Sequence, residues 1–212
     1  VVSALIGDDE TVFEGQKRIA EDAIKNGVKR FVPSDFSLSP DKAKEGEHIF
    51  LDQRIRFKKY LETTPLKGLH VTMGVFAETF FFFMNTLFGK LHYYQNPDQK
   101  FDITSYEDTA KFVVAAVAKP DRVGELRVHG DEISINEAAA IYNKVTGKNV
   151  VPENRGTIED LQKDIAEARK ENFLKSVLQT YLVFLFDGRG KLEGIHNSEF
   201  PQVKPLSFEE YI

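Results

Sequence analysis

The stretch that follows Gly27 constrains the fold of this chain more than any other. Residues 28–36 read Val-Lys-Arg-Phe-Val-Pro-Ser-Asp-Phe, and their β-branched and aromatic half predicts a short buried strand that ends at the Pro-Ser-Asp sequence. An amphipathic helical pattern over residues 11–26 precedes the strand, and Gly27 supplies the helix stop. In an open parallel sheet, ligands bind at the carboxyl ends of the strands. The polar residues of this break are therefore candidate site residues.

The order of elements along the chain predicts an α/β fold. Residues 1–6 predict a buried strand, so a strand, a helix and a second strand form a unit whose two strands are parallel. Further on, Ser105 and Ser134 each precede an acidic residue at the spacing of a helix cap, and Gly147 ends the second of these helices. A strand is also predicted for residues 69–73.

Composition excludes several classes of function. The 212 residues carry a net charge of -5, which leaves no basic field for direct nucleic-acid binding. There is no cysteine, so disulfides, thiolate nucleophiles and zinc-thiolate clusters are excluded, and the five histidines have no metal-type spacing, so no metal is expected. The apolar stretches are too short to cross a membrane and no signal peptide is recognisable, so a cytoplasmic protein is expected. Phosphate-binding loops, Gly-x-Gly-x-x-Gly and Gly-x-Ser-x-Gly motifs are absent from the sequence.

Arg54 is the most informative charged residue. It falls on the apolar stripe of a predicted helix over residues 50–62, in line with Phe50, Phe57 and Leu61. Two interpretations are open. The side chain can lay its methylene groups on apolar surface and extend its guanidinium to water, or it can point into a polar pocket at the Ser-Asp pair of the preceding strand end.

Four consecutive phenylalanines, residues 80–83, cannot all face one direction on a helix. They belong either to a thick core helix or to an aromatic-lined substrate pocket. The charged stretch over residues 38–47 is either a solvated surface loop or a mobile flap.

Several motifs, taken together and in order, resemble the NmrA-like and isoflavone-reductase-like proteins, which are atypical short-chain dehydrogenases. Residues 29–36 are similar to the family's Lys-Arg-Phe-x-Pro-Ser-Glu-Phe run, and residues 57–62 to a helix that ends in Ile-Arg-Arg-x-Ile-Glu. Residues 74–77 with the phenylalanine run, and the ending from residue 200 to residue 211, resemble the family's post-strand segment and its Tyr-Pro-x-Val…Glu-Tyr close.

This resemblance implies a Rossmann-like parallel sheet whose N-terminal strands and glycine-rich loop lie upstream of Val1, and a smaller C-terminal substrate lobe. The expected division is a partial NAD(P)-binding domain over residues 1–147, with residues 76–99 contributing to the substrate lobe, and the lobe itself over residues 148–212. The cofactor is expected to be NADP or NAD. The residues expected to bind it are Ser3, Ala4, Leu5, Pro33, Ser34, Phe36, Gly74, Val75 and Phe76.

The function implied is an NAD(P)H-dependent reductase that acts on a small aromatic or carbonyl-bearing compound. Arg54 and Ser34 are expected to stabilise the developing oxyanion and Asp35 to orient Arg54. The substrate pocket is expected to be formed by Phe76, Phe80, Phe81 and Phe83.

The reductases of the family carry a lysine at the position that aligns with Arg54. Because an arginine stays protonated, it cannot shuttle a proton as a lysine can. The alternative is a non-catalytic NAD(P)(H) sensor that acts through a protein partner; a homodimer is also open.

Overall fold

A computed structural model describes residues 1–81 and 90–212. The strands are β1 (Arg30–Phe31), β2 (Lys67–Thr72), β3 (Val75–Phe76), β4 (His92–Tyr93), β5 (Phe101–Thr104), β6 (Gly124–Arg127), β7 (Asp131–Ile133) and β8 (Glu153–Asn154). The helices are α1 (Gly15–Lys25), α2 (Ile49–Glu62), α3 (Ala77–Phe81), α4 (Tyr106–Val117), α5 (Ile135–Thr146), α6 (Ile158–Glu171), α7 (Phe173–Phe186) and α8 (Phe208–Tyr211). Among these described helices, none has both the length and the apolar character that crossing a bilayer requires.

The first sheet contains parallel strands in the order β1–β2–β6. The start of the chain extends it, because Val2 forms a parallel bridge with Val32, the residue that follows β1. Helix α2 lies between β1 and β2 in the chain, and α4 lies between β2 and β6. Parallel strands need such crossover connections. The α/β class predicted from the order of elements is confirmed.

Helices cover both faces of this sheet. Successive strand side chains point to opposite faces, so Phe31 packs with α1 and α2 whereas Val32 packs in the cluster that includes Phe112 of α4. Phe31 and Phe112 are fully buried. The aromatic and β-branched run of the sequence thus supplies two separate cores from adjacent positions.

Gly74 allows the chain to pass from one sheet to another. Strand β3 begins shortly after β2 ends, yet β3 pairs in parallel with β5, which pairs antiparallel with β7. Gly74 has φ of 81°, and a Cβ atom there would lie 2.1 Å from the carbonyl oxygen of Asp102. Only glycine satisfies both the positive φ and this approach of two backbones.

A third core joins the last helices to the second sheet. It contains Phe80, Phe101, Phe184 and Phe208, and α6 packs against α7 at its outer side. This core takes residues from both sides of position 147, so it does not separate two domains there. The predicted division into residues 1–147 and 148–212 stays a prediction.

The C-terminal segment is held by carboxylates that accept backbone N–H bonds. Asp102 accepts from the amide of Leu192 at 2.7 Å, Asp108 from that of Leu206 at 2.9 Å and Asp131 from that of Phe208 at 2.9 Å. These bonds explain why the apolar ending of the sequence is docked on the rest of the fold.

Most predicted element boundaries agree with the structure. Ser134 forms the complete capping box with Glu137, and Ser105 caps α4. The strand predicted for residues 1–6 is shorter than expected, since its named pairing is limited to Val2. Further along, the carbonyl of Leu5 accepts a hydrogen bond from the Ser34 hydroxyl at 2.7 Å and not from a neighbouring strand.

Replacing Gly74 by alanine should lower the free energy of unfolding by at least about 3 kcal/mol, because left-handed strain of about 1–2 kcal/mol adds to a backbone clash. Gly124→Ala is the matched control: Gly124 has φ of 78°, and no atom lies within 4 Å of the position that a Cβ would take, so only the strain is expected. Urea unfolding of both variants measures the difference. Equal losses would show that the approach to Asp102 is not a constraint.

Asp108 should make stability depend on pH. Burial pushes the pKa of its carboxyl upward, but the Leu206 amide, Lys111 and Ser105 together hold that pKa below the usual 3.8. A group whose pKa is lower in the folded state stabilises it above the unfolded-state pKa, and this contribution is lost as the pH falls through the folded-state pKa.

Asp108→Asn should therefore lower the unfolding free energy at pH 7 by about 1–2 kcal/mol, and the difference from wild type should shrink on acidification towards the folded-state pKa. The control is Asp121→Asn, at an exposed position. A difference that stays constant between neutral and acidic pH would contradict the role given to Asp108.

Candidate active site

A cavity of about 680 Å³ opens at the carboxyl ends of β1 and β2. Residues at the start of the chain, the loop after β1, the β2–β3 connection and helices α2, α4 and α7 line it. Most of the lining is apolar, with Phe36, Phe50 and Phe76 among its aromatic side chains. Its size is in the range of sites that enclose a small organic molecule.

Three ionisable side chains are found among the described lining residues: Arg54, Tyr106 and Tyr181. They come from α2, α4 and α7, which are far apart in the sequence. An apolar cavity with a few polar groups is the usual composition of a small-molecule site. These three groups therefore determine the chemistry that the cavity can support.

Arg54 is the cation of this set. Its Nη1 donates a hydrogen bond to the Phe50 carbonyl at 2.6 Å, one helical turn earlier, while its Nε is buried and has no partner among the described residues. The side chain lines the cavity together with Ser34, but the lining is mostly apolar and Asp35 is not part of it, so the polar pocket of the second interpretation stays a prediction. A buried N–H without an acceptor is costly, and an acceptor on a bound ligand would satisfy it.

Tyr181 lies on α7 and presents its ring to the same cavity. The amide of Leu38 donates a hydrogen bond to the phenolic oxygen at 3.0 Å. Burial raises the pKa of Tyr181 above its usual 10.0, and this rise exceeds the opposing effects of the Arg54 charge, the Leu38 amide and the Ser37 hydroxyl. The phenol is therefore protonated at neutral pH.

His48 supports this corner of the site without lining the cavity. Its ring lies 5.3 Å from the ring of Tyr181, and its Nδ1 accepts the Phe50 amide at 3.1 Å, which caps the start of α2. Burial, followed by the Arg54 charge, lowers the pKa of His48 to about 4. The imidazole is thus neutral at pH 7, as the acceptor role of Nδ1 requires.

Ser34 and Asp35 make different hydrogen bonds from those that the predicted roles require. The Ser34 hydroxyl lines the cavity but donates to the Leu5 carbonyl at 2.7 Å, so its proton is already used. Asp35 is buried, and its Oδ2 lies 2.6 Å from Nδ1 of His70 on the neighbouring strand. The expectation that Asp35 orients Arg54 is therefore corrected: its partner is His70, since Asp35 follows β1 and His70 lies on the adjacent parallel strand β2.

The residues predicted to bind the cofactor divide into two groups. Ser3 and Pro33 are buried in the first sheet and do not line the cavity; the Ser3 amide donates to the Val32 carbonyl at 2.8 Å. The others form one side of the cavity wall: Ala4, Leu5, Ser34, Phe36, Gly74, Val75 and Phe76.

The predicted aromatic pocket is described in part. Phe76 lines the cavity with its ring 4.3 Å from that of Tyr106, and Phe80 lines it while packing on Phe101. Phe81 is the last residue of α3. Phe83 lies outside the described residues.

Tyr106 and Tyr181 line the cavity but are not among the site residues that the sequence predicts. Tyr181 belongs to an apolar helical stripe with Leu178, Leu182 and Leu185, all of which line the cavity. Periodicity shows that such a stripe is buried. It does not show that Arg54 faces the same space, because the two helices are far apart in the chain.

Comparison with known proteins gives the following matches. The family model described as NmrA-like family matches residues 1–212. A protein of Gibberella moniliformis, described as an NmrA-like family domain-containing oxidoreductase, is 26% identical over 168 residues, which cover 74% of this chain and 54% of that protein. The chain thus spans about half the length of this curated relative.

Solved structures share the fold. The structure described as AtPrR2 with NADP+ and (+)pinoresinol has a TM-score of 0.82 at 21% identity and covers 100% of this chain and 73% of that one. A binary complex of leucoanthocyanidin reductase and NADPH from Vitis vinifera has a TM-score of 0.83 at 17% identity, covering 100% and 75%. An isoflavone reductase has a TM-score of 0.77 at 17% identity, covering 100% and 73%.

Arg54 should be dispensable for folding. Arg54→Met removes a partly desolvated charge from an apolar wall, and replacing such a group with an apolar one of similar size is often neutral or stabilising. The unfolding free energy should stay within about 0.5 kcal/mol of wild type or rise by about 1 kcal/mol.

The matched control is Arg56→Met on the same helix. Arg56 pairs with Asp9 and stacks on the Phe13 ring at 4.1 Å, so its loss should lower the unfolding free energy by about 0.5–1 kcal/mol. Urea denaturation compares the two variants. A loss larger for Arg54→Met than for Arg56→Met would show that Arg54 is retained for stability.

Proposed function

The chain belongs to the NmrA-like family, and from this membership we propose that it is part of an NADP(H)-dependent oxidoreductase acting on a small aromatic or carbonyl-bearing compound. The observation that carries the proposal is the apolar cavity at the strand ends, with Arg54 as the single cation among its described lining residues. The relative from Gibberella moniliformis is described as an oxidoreductase, and the similar structures include one described with NADP+ and one with NADPH.

The residues present fit the nicotinamide half of such a cofactor. The wall around Gly74, Val75 and Phe76 is uncharged and lies at the carboxyl edge of parallel strands, where dinucleotides bind. The unpartnered Nε of Arg54 offers a donor to a carbonyl or carboxamide oxygen. The 212 residues contain no glycine-rich phosphate loop, so the proposal for this chain concerns the nicotinamide half and the substrate.

When bound, NADPH would supply a hydride. The protein would contribute orientation and charge. The aromatic side chains Phe36, Phe76 and Phe80 would hold a planar substrate and exclude water, and the Arg54 guanidinium would stabilise negative charge that develops on the substrate oxygen. Ser34 would act as an acceptor, since its proton is donated to Leu5.

A second function is favoured by the identity of residue 54. Arginine stands where reductases that the sequence resembles carry a lysine, and a guanidinium cannot release its proton near neutral pH. On this alternative the chain binds NADP(H) without turnover and acts through a protein partner. The two functions differ in one measurement, the oxidation of NADPH in the presence of candidate substrates.

The test begins with an NADPH titration followed by nicotinamide fluorescence, and continues with NADPH oxidation across a panel of aromatic ketones and enones. Saturable binding with turnover supports the oxidoreductase, and saturable binding without turnover supports the sensor. Absence of binding by a protein that contains both this chain and a glycine-rich phosphate loop contradicts both functions. Absence of binding by this chain alone assigns the function to a longer protein.

In the oxidoreductase, Arg54→Met should reduce kcat by about 10²–10³-fold, since it removes one charge-stabilising donor, while NADPH affinity is retained. Arg56→Met is again the control and should keep wild-type turnover, because its side chain is directed to Asp9 and Phe13. Wild-type turnover in Arg54→Met would remove Arg54 from the mechanism.

A further inference from the structure

A carbonyl reduction in this cavity needs a proton as well as a hydride, and Arg54 cannot provide one. Ser34 cannot easily provide it either, because its hydroxyl donates to the Leu5 carbonyl. The threonines of the lining are used in the same way: Thr79 donates to the Phe76 carbonyl at 3.0 Å and Thr109 to that of Ser105 at 2.8 Å. The Ser37 hydroxyl is likewise used, by the Leu38 carbonyl, so the two phenols remain among the described lining residues.

The phenols differ in their surroundings. Tyr106 is 50% exposed, and its ring packs on Phe76. The Tyr181 oxygen is fixed by the Leu38 amide, and the positive charge of Arg54 acts on it. The Ser37 hydroxyl beside it donates to the Leu38 carbonyl at 3.0 Å. The Tyr181 oxygen is thus held in place, and the Ser37 oxygen beside it is the described group that can accept the phenolic proton until a ligand carbonyl takes that proton.

From this arrangement we propose that Tyr181 is the proton donor of the site and that it gives its hydroxyl proton to the carbonyl oxygen of the substrate. The proposal rests on the oxidoreductase function proposed above and assigns a catalytic residue to it. It also names the substrate class as an aromatic ketone or enone whose oxygen reaches the inner end of the cavity, between α2 and α7.

In this step the carbonyl carbon would gain the hydride that NADPH supplies when bound, the π pair of the C=O bond would move to oxygen, and that oxygen would take the proton of the Tyr181 hydroxyl. The product is an alcohol, and the tyrosinate regains a proton from solvent. The Leu38 amide and the Arg54 charge would stabilise the tyrosinate in the interval, because a donor and a cation both favour the charged form of a phenol.

The groups that titrate around Tyr181 keep its pH dependence simple. Among the described residues, the charged or titratable side chains that face it are Arg54 from α2 and His48 from the residue before α2. Arg54 stays protonated, and His48, with its pKa lowered to about 4, is neutral throughout the neutral range. The loss of kcat at high pH should therefore report Tyr181.

The first experiment measures kcat for NADPH oxidation in Tyr181→Phe. Loss of a positioned general acid should reduce kcat by about 10²–10⁴-fold and remove the decline at high pH, with NADPH affinity unchanged. Tyr60→Phe, on the outer part of α2 and away from the cavity, is the matched control and should behave as wild type. Thermal unfolding and NADPH affinity show whether each variant is folded.

A second, isosteric change keeps the test independent of folding. Incorporation of 3-fluorotyrosine at position 181 lowers the phenol pKa and should shift the decline of kcat to lower pH. An unshifted profile, or full turnover in Tyr181→Phe combined with loss in Tyr106→Phe, would overturn the assignment while leaving the oxidoreductase function intact.

The hydrogen bond itself is measured without turnover, from the infrared stretch of ¹³C=O-labelled acetophenone bound to the protein with NADP+. The stretch should lie at lower wavenumber in wild type than in Tyr181→Phe. This difference in a protein that does not oxidise NADPH would support the proton-donating contact and contradict the oxidoreductase function. Identical stretches would overturn the role of Tyr181, and absence of acetophenone binding would overturn it together with the proposed substrate class.

Discussion

The close approach of Gly74 to the backbone of Asp102 is the constraint on which the rest of the structure depends. It lets the chain leave the first sheet after β2 and enter the second as β3, because no side chain separates the two backbones. The same Asp102 is fully buried, pairs with His129 at 2.6 Å and accepts the Leu192 amide. This contact therefore fixes Gly74 in the cavity wall. Through Asp102, it also fixes Leu192 of the C-terminal segment.

The electrostatics of the cavity follow from its apolar lining. Arg54 is the one cation of the described lining, so its charge acts on the titratable groups beside it. The Arg54 charge adds to burial in lowering the pKa of His48, and it opposes the rise that burial causes in the pKa of Tyr181. The two effects have the same origin, a positive charge that disfavours a second cation and favours an anion. A neutral base, a neutral acid and a cation thus coexist at pH 7.

The proposed sensor and the proposed oxidoreductase share this cavity and differ in the fate of a bound reduced nicotinamide. An arginine at position 54, where the resemblance implies a lysine in the reductases, weakens the proposed oxidoreductase only if residue 54 must be the proton donor. The phenol of Tyr181, which faces the same space from α7, removes that requirement. Arg54 and the phenol of Tyr181 therefore bear on the same question, which group delivers the proton.

The sequence by itself determined the α/β class and the helix caps at Ser105 and Ser134, because periodicity and capping are local properties of the chain, and it left the direction of the Arg54 side chain open. Only the tertiary structure decided that Asp35 pairs with His70 and that Tyr181 faces Arg54. The first contact joins residues that are 35 positions apart in the chain and lie at neighbouring strands. The second joins residues on α2 and α7. Their geometry depends on how elements pack, a property that no local pattern encodes.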